Sequence, residues 1–348
     1  MYNDCIIIIN LISAINPKSR GYIDNCQCSL RLDEEDFFKM IFERVALTIR
    51  LARLPLVITG AFAYALGYLL AITRGTSFDL QKCLFGYLIF VLAHMSVSFS
   101  NDYFDIEADR YTTQTGLSGG SGVLLNHAEM RRFAILLSIL LIVISVMTSA
   151  AFTVLYSYPI TFFIFTIFGG LLGFFYTAPP LKLAYRGLGE ISSVLGIGFV
   201  MTGMGYFVAF GMLDIWFFFM CIPLMCYALF FILTVEMPDI EGDRIAKKMN
   251  FLVIRGVKAG AYPSFFSTIA GSVIMTLLAY YGILGPALNL NRLAFLSLIP
   301  LVSAAAGLKV DVNDQSKLVR QAKLNLTALS LFLLMANLSL ILQNFAAI

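Results

Sequence analysis

Nine apolar stretches, near residues 55–73, 83–101, 133–155, 159–178, 190–211, 215–235, 261–284, 293–308 and 324–345, occupy most of the sequence and leave few folds open. About 20 apolar residues suffice to cross the hydrocarbon core of a bilayer as a helix. Lipid cannot satisfy a free backbone N–H or C=O, so the spanning choices are helices or closed barrels, and runs of this length read as helices. Charged residues make up only 13% of the chain and the mean hydropathy is +0.84, where a soluble domain carries ~25% charged residues. The third and fourth stretches form one uncharged run, divided at Tyr156-Ser157-Tyr158-Pro159 because proline suits a first helical turn. The expected fold is an all-α integral membrane protein of about nine transmembrane helices.

Residues 45–348 are expected to form one polytopic domain, preceded by an amino-terminal cytoplasmic or interfacial segment over 1–44. The apolar run CIIIINLI at 5–12 is too short to span and lacks the basic flank of a secretory signal, so it is left unassigned. Residues 33–53 mix charge and apolar side chains at helical spacing, which suits an interfacial helix. Cys5, Cys26, Cys28, Cys83, Cys221 and Cys226 show no metal spacing with His94 or His127, so neither a zinc site nor a disulfide framework is expected. His94 is expected to be a buried, hydrogen-bonded histidine. The net charge of +3 points to no nucleic-acid partner; the bilayer is the expected surroundings.

The positions of the basic residues orient the chain. The amino-terminal segment and the loops after spans two, four, six and eight hold 21 of the 24 lysines and arginines. Basic residues collect on the cytoplasmic side, so an odd number of spans in a cell membrane is expected, with the amino terminus and these loops cytoplasmic.

Two decapeptides then stand out. NDYFDIEADR at 101–110 and VEMPDIEGDR at 235–244 each follow an apolar run and share DIExDR. Asp102, Asp105 and Asp109 fall at i, i+3 and i+7, as do Glu236, Asp239 and Asp243, so each set lines one face of a helix. Both sets begin loops on the same side. Carboxylates at this density repel one another unless a positive charge sits among them, and Mg2+ takes a few carboxylates together with water and phosphate oxygens.

Basic residues surround these loops: Arg50 and Arg53 before span one, Lys182 and Arg186 after the Pro179-Pro180 break, and Arg244, Lys247, Lys248 and Arg255 after the second acidic set. Metal, carboxylate and basic groups together suit a diphosphate ester, because both metal and Lys or Arg neutralise charge growing on a leaving phosphate. With Lys182 and Arg53 beside a metal-held diphosphate, an allylic C–O bond can loosen and an electron-rich ring attack. Phe and Tyr are abundant, at 31 and 16, and some can line an isoprenoid cavity.

These residues resemble the UbiA superfamily of intramembrane prenyltransferases over residues ~45–345. Its motif NDxxDxxxD is complete as Asn101, Asp102, Asp105 and Asp109, its DxxxD is Asp239 and Asp243, its Tyr-x-x-Pro-Pro-x-Lys element runs from Tyr176 to Lys182, and Arg53 resembles the arginine before the first helix. The resemblance implies a helical bundle around a central cavity with cytoplasmic cap loops. It further implies Mg2+-dependent transfer of a polyprenyl group from its diphosphate to an acceptor. Asn101, Asp102, Asp105, Asp109, Asp239 and Asp243 would ligate metal. Asp105, Asp109, Asp239, Asp243 and Lys182 would carry the chemistry, and Arg53, Asn101, Tyr176, Lys182, Arg186 and Lys247 would bind substrate. The loop TGLSGGSGVLL at 115–125 is most similar to the menaquinone-type branch, which implies the aromatic acceptor 1,4-dihydroxy-2-naphthoate. 4-Hydroxybenzoate, homogentisate and geranylgeranylglyceryl phosphate stay open as acceptors.

A cation-coupled secondary transporter is the rival from another class, but its carboxylates would lie at the bilayer midplane rather than at helix ends. A CDP-alcohol phosphotransferase would need a DG-x-x-AR run, which the sequence lacks. A soluble isoprenyl diphosphate synthase cannot be this apolar.

Overall fold

A computed structural model describes residues 34–112, 119–285 and 288–345. The chain divides into two units, residues 1–48 and 49–348. Cys5, Cys26, Cys28 and the run at 5–12 lie outside the described residues, as do residues 115–118 of the glycine-rich loop. Helix α1 spans Glu34–Leu51, followed by α2 (Leu54–Ile72), α3 (Leu80–Phe104), α4 (Met130–Leu155), α5 (Ile160–Phe174) and α6 (Gly189–Phe210). After these come α7 (Ile215–Glu236), α8 (Val257–Tyr280), α9 (Leu290–Gly307) and α10 (Gln315–Phe345). No strand occurs among the described residues, and the protein is an all-α integral membrane protein.

The helices start where local chemistry lets them. Pro55 sits in the first turn of α2, where its missing N–H has no helical partner to lose. The Asp79 carboxylate caps α3 by accepting from the backbone N–H of Lys82 at 3.0 Å, and Asp214 caps α7 by accepting from that of Phe217 at 3.1 Å.

Among the described residues, eight helices are long and apolar enough to cross a bilayer, and α5 is a ninth, shorter apolar helix. The fourth expected span, 159–178, is thereby shortened. Helix α5 has fifteen residues, or ~22 Å of rise, because Phe175 onward turns into the Pro179-Pro180 loop. The last span begins at Gln315 rather than 324, since Lys317, Arg320 and Lys323 ride its exposed face while Leu318, Gln321 and Ala322 are buried. A charge-free criterion cannot see such an amphipathic end.

Membrane helices approach closely through small residues. Helices α2 and α6 do so reciprocally: a Cβ on Gly67 would lie 1.8 Å from the Thr202 carbonyl oxygen, and one on Gly205 would lie 1.9 Å from that of Tyr64. Helices α3 and α4 are joined by reciprocal 2.8 Å hydrogen bonds, each from one serine hydroxyl of Ser96 and Ser138 to the other's carbonyl. Within α6, residues Val194–Met201 widen into a π-helical stretch, and Gly196, Ile197, Gly198, Val200 and Met201 line a cavity of about 320 Å³ inside the bundle.

Candidate active site

One end of that cavity is built by the acidic decapeptides, and neither is a simple loop. Asn101–Phe104 form the last turn of α3, and Ile106–Asp109 add a further helical turn. Glu236 ends α7, a 3₁₀ turn covers Met237–Asp239 and a helix follows over Ile240–Ile245. The two turns touch at their small residues. A Cβ on Gly242 would lie 2.7 Å from the Ala108 carbonyl oxygen and 2.2 Å from Thr112 Cγ2. Ala108 and Gly242 occupy the same position in DIEADR and DIEGDR. The glutamates and arginines of both motifs face outward in i,i+3 pairs, Glu107 with Arg110 at 3.6 Å and Glu241 with Arg244 at 2.8 Å.

The aspartates face inward, and two cations divide them. Arg53, held at φ 50° between α1 and α2, forms an ion pair with Asp102. Its Nε is buried without a partner. Lys248 Nζ lies 2.9 Å from Asp105 Oδ2 and 3.0 Å from Asp243 Oδ1, so one ammonium joins the two motifs. Burial opposes the Lys248 charge, but Asp105 and Asp243 outweigh it and hold its pKa well above the ordinary range. Tyr185 donates from its hydroxyl to Asp105 Oδ1 at 2.8 Å, Asn250 donates from Nδ2 to Asp243 Oδ2 at 2.7 Å, and Thr177 donates from its hydroxyl to Asn101 Oδ1 at 2.8 Å.

The glycine-rich loop lies over both acidic sets. Gly119 N–H donates to Asp239 Oδ2 at 3.1 Å and Ser121 N–H donates to Asp102 Oδ2 at 3.1 Å. Gly120, at φ +69°, packs so tightly on Asp109 that a Cβ would lie 2.0 Å from Oδ2. Such a positive φ and such an approach both require glycine. Burial pushes the Asp109 carboxyl up to about 8, opposed by Arg53 and supported by Asp105 and Asp102.

Several acidic oxygens remain unmatched. Asp239 Oδ1 and Glu236 Oε2 are buried without a hydrogen-bond partner, and both residues line the cavity with Asn101, Asp105, Asp109 and Asp243. Unsatisfied buried carboxylate oxygens are costly and suit a hard cation. No three carboxylates stand close enough among the described residues to enclose an ion alone, so phosphate or water oxygens would complete its shell.

Among the residues expected at the site, Arg53, Asn101, Asp105, Asp109, Tyr176, Asp239 and Asp243 line the cavity, while Asp102 sits behind it against Arg53. Lys182, Arg186 and Lys247 do not line it. Lys182 is exposed at φ 45°, with Nζ 5.2 Å from the Tyr185 ring centroid. Arg186 is exposed and donates to the Pro180 carbonyl at 2.9 Å. Lys247, at φ 61°, points outward, and the backbone of the next residue, Lys248, donates to the Asp243 carbonyl at 2.9 Å, which turns its ammonium inward. Glu236 belongs to the expected acid set and Lys248 to the expected basic group, neither with an assigned role, while Tyr185, Asn250 and Thr177 were not singled out by the sequence. His94 also departs from expectation: it lines the cavity and its Nδ1 is buried without a partner.

A membrane bundle whose buried acid and base meet at the head of an apolar cavity defines a class of intramembrane enzyme. Residues 57–338 match the UbiA prenyltransferase family, and the chain belongs to that family. It is a prenyltransferase, transferring an alkyl group larger than methyl. Among solved structures it is similar to a UbiA homologue from Archaeoglobus fulgidus bound to GPP and Mg2+, with 19% identity and a TM-score of 0.61, covering 85% of this chain and 99% of that one. It is similar also to an apo UbiA homologue from Aeropyrum pernix K1, with 15% identity, a TM-score of 0.60, and 80% and 97% coverage. A digeranylgeranylglyceryl phosphate synthase matches at 18% identity and a TM-score of 0.56, over 86% and 99%. No curated protein matches the chain.

Proposed function

We propose that this prenyltransferase moves a polyprenyl group from its diphosphate to an electron-rich aromatic acceptor, with 1,4-dihydroxy-2-naphthoate the favoured one, in menaquinone biosynthesis. The observation that carries the reading is the unmatched acid at the cavity head, Asp239 Oδ1 and Glu236 Oε2, beside Arg53 and Lys248 and above an apolar cavity. Bound Mg2+ would supply charge neutralisation on the diphosphate, held by Asp105, Asp109, Asp239 and Asp243 with Asn101 and Asp102 in support. Arg53 and Lys248 add positive charge at the leaving group, the part expected of Lys182. Tyr176, in the wall beside them, donates its hydroxyl to a phosphate oxygen. Lys182, Arg186 and Lys247 would meet the diphosphate only at the exposed rim.

The cavity wall below, with Phe90, Phe165, Tyr227 and Phe231, excludes water from the loosening allylic bond and offers ring faces to the developing cation. The acceptor rests on the resemblance of residues 115–125. The distribution of basic residues supports a cytoplasmic cavity head; labelling of engineered cysteines at 104 and 182 from the outer face would reverse that orientation. The function is tested by incubating purified protein with Mg2+, polyprenyl diphosphates and a panel of aromatic acceptors, followed by mass analysis. The expected products are a prenylated naphthoquinol, the diphosphate that leaves the prenyl carbon, and carbon dioxide from the ring carboxylate that the prenyl group replaces. Transfer to 4-hydroxybenzoate or to a glyceryl phosphate, with the naphthoate ignored, would replace the acceptor.

A further inference from the structure

His94 belongs to the cavity wall but takes no part in the charged head. It opens a polar stripe on α3: His94, Ser98, Asn101 and Asp105 fall at i, i+4, i+7 and i+11, and all four line the cavity. Seven residues separate His94 from Asn101, which puts the imidazole about 10 Å further into the bundle. One turn deeper the same face carries Phe90, whose ring centroid lies 5.4 Å from that of His94. The stripe therefore ends at His94.

The fold makes room for this ring. A Cβ on Gly60 would lie 2.6 Å from His94 Cε1 and 2.7 Å from Nδ1, so α2 can carry only glycine there without displacing it. Despite that fit, Nδ1 is buried with no hydrogen-bond partner. Nδ1 and Cε1 face Gly60 and are closed to a ligand, so His94, which lines the cavity, meets it through the opposite edge of the ring, which carries Nε2. A neutral imidazole offers one donor and one acceptor. The prenyl chain carries no polar atom to meet it, and the diphosphate, on the reading above, would be held two turns higher. The group that must come between them is the acceptor ring, which attacks the first prenyl carbon just below the diphosphate.

We propose that His94 binds a ring hydroxyl of the aromatic acceptor and so selects hydroxylated rings and orients them toward the prenyl carbon. The inference rests on the aromatic-acceptor reading above. It is tested on the full chain with Mg2+ and a polyprenyl diphosphate, comparing 1,4-dihydroxy-2-naphthoate with its ring O-methyl ethers. His94→Phe is expected to raise the acceptor KM at least tenfold while leaving the diphosphate KM within twofold. His94→Gln, which restores a donor and an acceptor, is expected to recover part of that loss. The wild type is expected to prefer the free hydroxyl over the ether, and His94→Phe to lose the preference.

An unchanged acceptor KM, or equal rises in both KM values as a merely structural role would give, overturns the inference. Should His94→Phe not fold, His94→Gln and the wild-type preference between hydroxyl and ether decide the matter. Wild-type transfer to phenols without that preference overturns this inference alone. Transfer to no aromatic acceptor overturns the acceptor class and the inference with it.

Discussion

The acidic segments NDYFDIEADR and VEMPDIEGDR share DIExDR but sit in unlike electrostatic surroundings. In the first, Asp102 meets Arg53 and the Ser121 N–H, and Asp105 meets Lys248 and Tyr185. In the second, Asp243 shares Lys248, but among the described residues Asp239 has only the Gly119 N–H for one oxygen, and Glu236 Oε2 and Asp239 Oδ1 have no partner. Sequence symmetry therefore does not carry over into charge symmetry. In the first set the protein itself meets Asp102 and Asp105 and leaves Asp109 pushed up by burial, whereas the second leaves Asp239 Oδ1 and Glu236 Oε2 unmatched, and a cation contributes most at these unmet acids.

The largest expected effect comes from removing the acids themselves. Asp105→Asn and Asp239→Asn should each lower turnover by about 10² or more, the order found when one group stabilising a transition state is lost. The double variant should be little worse than either single, because groups acting as a unit are not additive. The comparison also predicts a difference in stability. Asp239→Asn removes an oxygen with no partner and should leave the melting temperature unchanged or raised, while Asp105→Asn weakens the Lys248 contact and should lower it. Near wild-type turnover in either single variant at saturating Mg2+ would break the shared-site reading.

Next in size is Lys248→Met. Removing one member of a buried ion pair costs ~3–5 kcal/mol, and here Asp105 and Asp243 would be left facing each other. Both melting temperature and turnover should fall, whereas Lys182→Met, at an exposed position, should change turnover by no more than about twofold, within the small effects of surface substitutions. Equal losses in the two variants, measured by thermal unfolding and product formation, would return the leaving-group role to Lys182.

The contact between the turns can be tested through the one letter by which they differ. Gly242→Val puts a branched side chain where Ala108 and Thr112 already are and should cost about 1–3 kcal/mol by overpacking, with turnover falling as the two acid sets are forced apart. Ala108→Gly adds nothing to the gap and should cost only ~1 kcal/mol of helix propensity. A fully active Gly242→Val would mean that the close approach is unnecessary.

These residues mark how far the sequence could be read. The apolar runs and the i, i+3, i+7 acid spacing are local patterns tied to helix geometry, so both the bundle and the inward acids were legible. The choice between Lys182, Lys247 and Lys248 was not. It depends on a left-handed Lys247 and on the bond from Lys248 N–H to the Asp243 carbonyl, which set a side-chain direction that spacing in a loop does not encode. The meaning of Gly242 was hidden for a related reason: its contact with Ala108 joins segments 134 residues apart. Glu236 was legible as the first acid of its set, but its unpaired oxygen appears only once the wall around it is built. Residues 119–122 were legible as glycine-rich, yet their role in covering both acid sets depends on positive φ at Gly119, Gly120 and Gly122.

The smallest expected effect concerns the letters that the two turns share but do not use on the cavity. Glu107 and Glu241 pair with Arg110 and Arg244 on the outer face, and all four side chains are more than half exposed, at 66%, 69%, 51% and 51%. Exposed pairs of this kind contribute ~0–1 kcal/mol, because water screens the attraction and ordering two long side chains opposes it. Glu107→Gln and Glu241→Gln should therefore leave turnover and diphosphate KM unchanged and shift stability by no more than about 0.5 kcal/mol. The contrast with Asp105 and Asp239, two residues away on the same turns, is the point of the measurement. A helical turn directs residues two apart to nearly opposite sides, so identical letters can be decisive on one face and dispensable on the other. A tenfold loss of activity in either glutamine variant would show that the outer face also reaches the substrate, and the division of each turn into an inner and an outer face would fail.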